Sequence, residues 1–112
     1  MAKNSVRVEI CNLRYEKMDR EGDVRCDRRT PFGNQFIIGR DGDREEVVRK
    51  HRRWLMKNIG VVTALSARKP KRLFCWCVPE LCHCHNYAEA LAGDLWRKFD
   101  PDRMMGVGVR NE

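Results

Sequence analysis

The sequence predicts a small α/β domain, a sandwich with a partly parallel sheet flanked by helices. Three observations predict it. "VRVEI" (6–10) alternates apolar and charged residues, as a strand with one buried face does. "DREEVVRKHRRWLMKN" (43–58) places its apolar residues at helical spacing. "RLFCWCV" (72–78) is a nearly continuous apolar run, the pattern of a strand buried on both faces, and it follows a helical crossover, which favours parallel pairing.

Taken in order, the first strand puts Val6, Val8 and Ile10 on one face. An Arg-, Asp- and Gly-rich loop of about thirty residues follows, a length that is uncommon without function; within it "FGNQF" contains a turn and "FII" (36–38) reads as a short strand. Asp43 caps the helix at 43–58, with Glu46 completing a capping box. Val47, Val48, His51, Trp54 and Leu55 form its buried stripe, with His51 read as a core or boundary histidine, and Arg49, Lys50, Arg52, Arg53 and Lys57 its opposite face. A shorter helix within 58–71 partly buries Val61, Val62, Ala64 and Leu65 and is stopped by Pro70. After the strand at 72–78, Pro79 suits the first turn of a helix running from about 80 to 98, with Tyr87, Ala88, Leu91 and Leu95 inward and a bend or break at Gly93. Residues 1–100 are expected to form one domain and 101–112 a flexible or loosely docked tail.

Composition narrows the class. With 42% hydrophobic and 35% charged residues, the chain is composed like a globular domain rather than a disordered one. No apolar run approaches the roughly 18 residues of a membrane span, and the N-terminal residues lack a secretory h-region, so a cytoplasmic location without membrane contact is expected. In a reducing compartment the six cysteines read as thiols, metal ligands or small buried hydrophobes rather than disulfides. The net charge of +7 is concentrated at "RKHRRWLMK" (49–57) and "RKPKR" (68–72), which suits a nucleotide, a nucleic acid or simply a solvated surface.

"FCWCVPELCHCH" (74–85) gathers four cysteines and two histidines. Strand alternation puts Cys75 and Cys77 on one face and Phe74 and Trp76 on the other. Cys77 then ends the strand, while Cys82 and His83 open the next helix, outside the carboxyl ends of the strands, where open α/β sheets place their ligands. Three readings stay open. A thiol at a helix start has a lowered pKa and serves as a nucleophile, Cys82 with His83 as acid/base. Cys77, Cys82 and either Cys84 or His85, with Cys75 or His83 as the fourth, can supply zinc's tetrahedral ligands, although the spacing lacks paired C-x2-C knuckles and a flat C-x-C strand holds its Cα atoms about 6.5–7 Å apart. The third reading is a set of buried cysteines with a histidine at a helix start.

"RCDRRTPFGNQF" (25–36) is the second constellation. Arg28 and Arg29 can fork onto phosphate or carboxylate, Gly33 permits close backbone approach, and Asn34 can read a base edge or sugar hydroxyl. Asp27 either takes part in the ligand site or holds the turn by an ion pair to an arginine.

Together, "VRCDRRTPFGNQFIIGRDGDREEVV" and "LFCWCVPELCH" resemble a family found in bacteria and phages, the domain of unknown function DUF4326, over roughly residues 5–93. The family's pattern is an R-x-T-P-W-G-N-P-F-like loop, D-R-x-x-V at a helix start, and L-x-C-W-C-x-P-x-x-C-H. The matching positions are Arg28, Arg29, Thr30, Pro31, Gly33, Asn34, Phe36, Arg44, Cys75, Trp76, Cys77, Pro79, Cys82 and His83. Phe32 and Gln35 stand in place of the family's Trp and Pro, and Cys84 and His85 in place of a small residue and an acid. The resemblance implies no activity. It implies that loop and turn form one site, that any metal ligands lie among Cys75, Cys77, Cys82 and His83, and a phage-type gene product acting in a bacterial cytoplasm.

Two functions follow as expectations. One is a small protein that binds or processes a nucleotide or nucleic-acid-derived ligand through Asp27, Arg28, Arg29 and Asn34, with Cys82 and His83 reactive. The other is a non-enzymatic, zinc-stabilised adaptor that binds nucleic acid or a host protein through Arg49, Lys50, Arg52, Arg53 and Lys57.

Overall fold

A computed structural model describes residues 7–105. Strands β1 (Glu9–Asn12), β2 (Asp23–Arg25) and β3 (Arg72–Cys75) form a sheet in the order β1-β3-β2 with both pairings parallel. The α/β class holds. β3 is central and all four of its residues are buried, as its apolar run requires. Val8 and Ile10 are buried between exposed Arg7 and Glu9, so the alternation is real. The strand itself starts later than expected, at Glu9, and Val6 lies outside the described residues.

The long loop carries a strand that its charged composition concealed. β2 has the sequence Asp-Val-Arg, with only Val24 fully buried, and hydrogen bonding to β3 rather than apolar patterning makes it a strand. "FII" (36–38) is no strand: Ile37 donates to Asp41 Oδ2 and accepts from the N–H groups of Arg40 and Asp41, forming a turn.

Helix α1 (Arg44–Lys57) has the expected capping box: Glu46 N–H donates to Asp43 Oδ1 and Asp43 N–H to Glu46 Oε1, both at 2.9 Å. Val47, Val48, His51 and Leu55 are buried and Trp54 half-buried. Arg52 corrects the exposed-face assignment. It is 3% exposed and pairs with Glu89 at 2.8 Å. Periodicity alone could not detect this, because a buried arginine needs an acid that the fold brings from 37 positions away. In α2 (Ile59–Ser66) Leu65 is buried and Val61 and Val62 half-buried, but Ala64 is exposed. Pro70 does not stop this helix. It ends at Ser66, and the chain turns through Lys69 at φ 51°.

Helix α3 spans His83–Leu91, starting later and ending earlier than expected. Pro79 sits in the preceding turn, after a cis Val78–Pro79 bond, rather than in the helix. Gly93, at φ 84°, turns the chain beyond the C-terminus, as glycine does with little strain. Tyr87, Ala88, Leu91 and Leu95 are all buried, Leu95 from outside the helix. From residue 101, where a loose tail is expected, Pro101–Met105 forms α4; Met104 is fully buried and Arg103 bonds Glu89.

α3 packs on β1 and β3, and α1 and α2 pack on α3. Across β3, Arg72 stacks over Phe74 and binds Glu16, Asp19, Asp23 and the Lys17 carbonyl, tying the β1–β2 connection to the sheet. The loops after β2 and β3 therefore leave the sheet together at its carboxyl edge.

Candidate functional site

β3 stops at Cys75, three residues before the end of the apolar run at Val78. Asn12, at the end of β1, donates Nδ2 to the Trp76 and Val78 carbonyls, at 3.3 and 2.8 Å, and so binds the departing chain. Trp76 consequently leaves the face it would have shared with buried Phe74 and is 54% exposed. The same turn removes the spacing objection to a C-x-C cluster. The Cys75, Cys77 and Cys82 sulfurs lie within 4.8 Å of one another, with Cys75 and Cys82 at 3.3 Å.

Cys82 is the N-cap of α3 rather than a residue within it. Its sulfur accepts from Cys84 N–H at 3.5 Å and faces His83 Nδ1 at 3.4 Å. His83 Nε2 lies 2.6 Å from the Cys26 carbonyl and must therefore donate to it, leaving Nδ1 for the sulfur. Burial opposes a thiolate at Cys82, but the Cys75, Cys77 and Cys84 thiols and the charge of His83 outweigh it and hold the pKa well below the usual thiol value. Burial likewise opposes charge on His83, but the adjacent Cys82 charge and the Cys26 carbonyl raise it to about 9. Cys77 is pushed up, first by Cys75 and then by Cys82, and stays a thiol. The site thus concentrates negative charge on Cys82 beside an imidazolium.

His51 packs against His83, its ring 5.3 Å from His83 and 5.1 Å from Tyr87. Asn86 Nδ2 lies 3.0 Å from His51 Nδ1, which fixes that nitrogen as an acceptor. Burial, and then the charge of His83, lower its pKa to about 3. His51 is the core histidine expected, and its place behind His83 is a tertiary fact.

The arginine-rich loop meets this turn across a pocket of about 140 Å3. Arg28 and Asn34 line one side, Trp76, Cys77, Cys82 and His83 the other, and Arg44, at the start of α1, joins them. Arg28 is braced by donating Nε to the Asn34 carbonyl at 3.0 Å and Nη2 to the Phe36 carbonyl. Among the described residues no carboxylate pairs with it. Arg29 is exposed and does not line the pocket. Asn34 is buried, donating to the Val47 carbonyl and accepting from Phe36 N–H, so its amide holds the loop on α1. Asp27 is bound by Arg25 at 2.7 Å, by Trp76 Nε1 at 3.0 Å and by Arg29 N–H, and these partners, Arg25 foremost, take its carboxyl down to about 2. Gly33 permits close approach of the chain to itself rather than to a ligand: a Cβ there would stand 2.6 Å from the Arg28 Cα and the Asp27 carbonyl. Phe32 is buried edge-on to Tyr87. Residue-type reasoning missed Arg44 and Trp76 as pocket walls, though both stand in the matched motifs.

The donor set fits a thiolate metal. With zinc–sulfur bonds of about 2.3 Å, tetrahedral ligands stand about 3.8 Å apart, close to what the triad already shows. His83 does not join that triad. It clusters instead with Cys82 and Cys84, so the four residues named from the sequence form two overlapping groups. Of the basic residues on α1, Arg49 lies over the Phe99 ring and Lys50 donates to the Asp41 carbonyl, while Arg53 and Lys57 are exposed. Among the described residues no helix is long and apolar enough to cross a membrane.

No curated protein and no solved structure matches the chain. A family model does, that of a domain of unknown function, DUF4326, over residues 11–93. That span runs from β1 to Gly93 and contains both walls of the pocket, and the chain belongs to the DUF4326 family.

Proposed function

We propose that this protein binds a nucleotide or nucleic-acid-derived ligand between the Arg28 loop and the Cys77–His83 turn, with Cys82 and His83 as its reactive end. One observation carries the reading. A braced guanidinium with no carboxylate partner among the described residues and a buried Cys82–His83 pair line the same pocket at the carboxyl edge of a parallel sheet. Arg28 offers charged donors to a phosphate, whereas Arg44, also in the lining, is paired with Glu80 at 3.0 Å. Cys82 supplies the electron pair, and His83 holds the proton beside it. Calorimetric titration with nucleoside monophosphates tests this. Arg28→Ala should weaken binding about 10- to 100-fold, the worth of a charged hydrogen bond, and Cys82→Ser should weaken it as well. Unchanged nucleotide binding in both variants would overturn the proposal.

A second reading, a zinc-stabilised adaptor for nucleic acid or a host protein, is favoured by the convergence of Cys75, Cys77 and Cys82. Its basic face is reduced to Arg49, Lys50, Arg53 and Lys57, since Arg52 is consumed by Glu89. This reading requires nucleic-acid affinity that falls steeply with salt and folding that fails under chelation.

A further inference from the structure

Trp76 is an exposed ring held in one orientation. Its indole Nε1 donates to Asp27 Oδ2 at 3.0 Å, and that carboxylate is itself gripped by Arg25 at 2.7 Å. The backbone behind the ring is tied to Asn12. The Arg25 guanidinium lies over the ring, 5.9 Å from its centroid. Arg25 does not line the pocket, whereas Trp76 does. The cation therefore contacts the ring from outside the pocket lining, while Trp76 itself lines the pocket. A ring left to water needs no fixed orientation, but this one is set by three contacts drawn from β1, β2 and the loop. The lining of the same pocket also includes Phe36 and half-exposed Ile38, apolar surface suited to a flat group.

We propose that Trp76 is a stacking plate, that the pocket's ligand carries a planar heteroaromatic ring laid on it, and that Asp27 is the positioning residue that fixes the plate. This deepens the nucleotide-site reading and rests on it: Arg28 takes the anionic end and Trp76 the base. Ring stacking on an aromatic side chain tolerates any base, because every base presents a π face. The plate therefore selects nucleotides over sugar phosphates without choosing among bases.

The test titrates the full chain with AMP, UMP and ribose 5-phosphate, which share a phosphate but differ in the ring. Wild type should bind AMP at least about tenfold more tightly than ribose 5-phosphate. Trp76→Leu should erase that difference, bringing AMP down to the affinity of ribose 5-phosphate. Trp76→Phe, which keeps a ring but loses the Nε1 donor, should retain part of it. Asp27→Asn should narrow it in the same way, which a purely structural role would not do. Equal binding of AMP and ribose 5-phosphate by wild type, or a Trp76→Leu variant that keeps the preference, would refute the stacking plate while the anion site stood. If none of the three probes bound, the nucleotide-site reading would fail and the plate with it.

Discussion

Glu89 is the most consequential buried charge outside the pocket, and removing it tests how the helices are held. Its side chain is 5% exposed and that of Arg52 4%, and they meet at 2.8 Å. Arg103 of α4 adds bonds to the same carboxylate at 2.8 and 2.9 Å. In Glu89→Ala, Arg52 keeps, among the described residues, only neutral acceptors: Asn86 Oδ1 and the Asp94 and Arg97 carbonyls. Burial already lowers the pKa of Arg52 with Glu89 present, so the orphaned guanidinium is costly. Breaking a buried pair from one side costs about 3–5 kcal/mol. An unfolding entropy of about 2.1 cal/mol/K per residue over 112 residues converts this to a fall in Tm of about 13–21 °C. Circular dichroism melts and urea titration read the loss directly. Arg52→Met with Glu89→Met, which removes both charges and keeps volume, should recover most of it. A Glu89→Ala protein within about 1 kcal/mol of wild type would refute the reasoning, since it would mean that water reaches Arg52.

The remaining predictions concern the site. Iodoacetamide should alkylate Cys82 equally with and without chelator in protein purified without added metal; stoichiometric zinc with thiols released only by chelator would transfer Cys75, Cys77 and Cys82 to the adaptor reading. His51, lowered to about 3 from 6.5, binds its proton more readily unfolded than folded. Stability should therefore fall as pH drops below about 6.5 and level off below about 3, and His51→Gln should flatten this part of a pH–urea series. Gly33→Ala drives a Cβ into the backbone at Asp27 and Arg28 and should cost about 1–3 kcal/mol, with phosphate affinity lowered because Arg28 is displaced; an unchanged melt would show that the loop gives way freely.

Much of the fold was legible because it is written in local pattern. The capping box at Asp43 and Glu46, the stripe from Val47 to Leu55 and the apolar Leu73, Phe74 and Cys75 of β3 each need only neighbours in sequence. β2 was not legible: Asp23 and Arg25 give no apolar alternation, and only pairing with β3 makes them a strand. The early end of β3 was equally hidden. The apolar run continues through Trp76, Cys77 and Val78, while Asn12 from another strand captures the carbonyls of Trp76 and Val78.

For the site, the sequence by itself determined the inventory: Arg28 in one motif, Cys75, Cys77, Cys82 and His83 in the other, and their place near a strand's carboxyl end. Tertiary structure decided which of them meet. Arg28 lines the pocket while exposed Arg29 does not, Asp27 holds Trp76, Asn34 is spent on the loop, and His83 parts from Cys75 and Cys77 to group with Cys82 and Cys84. The physical reason is range. Spacing constrains side chains within a strand or a helical turn, whereas these partners lie on separate segments that converge only when β2 and β3 pair in parallel and release their loops at the same edge of the sheet.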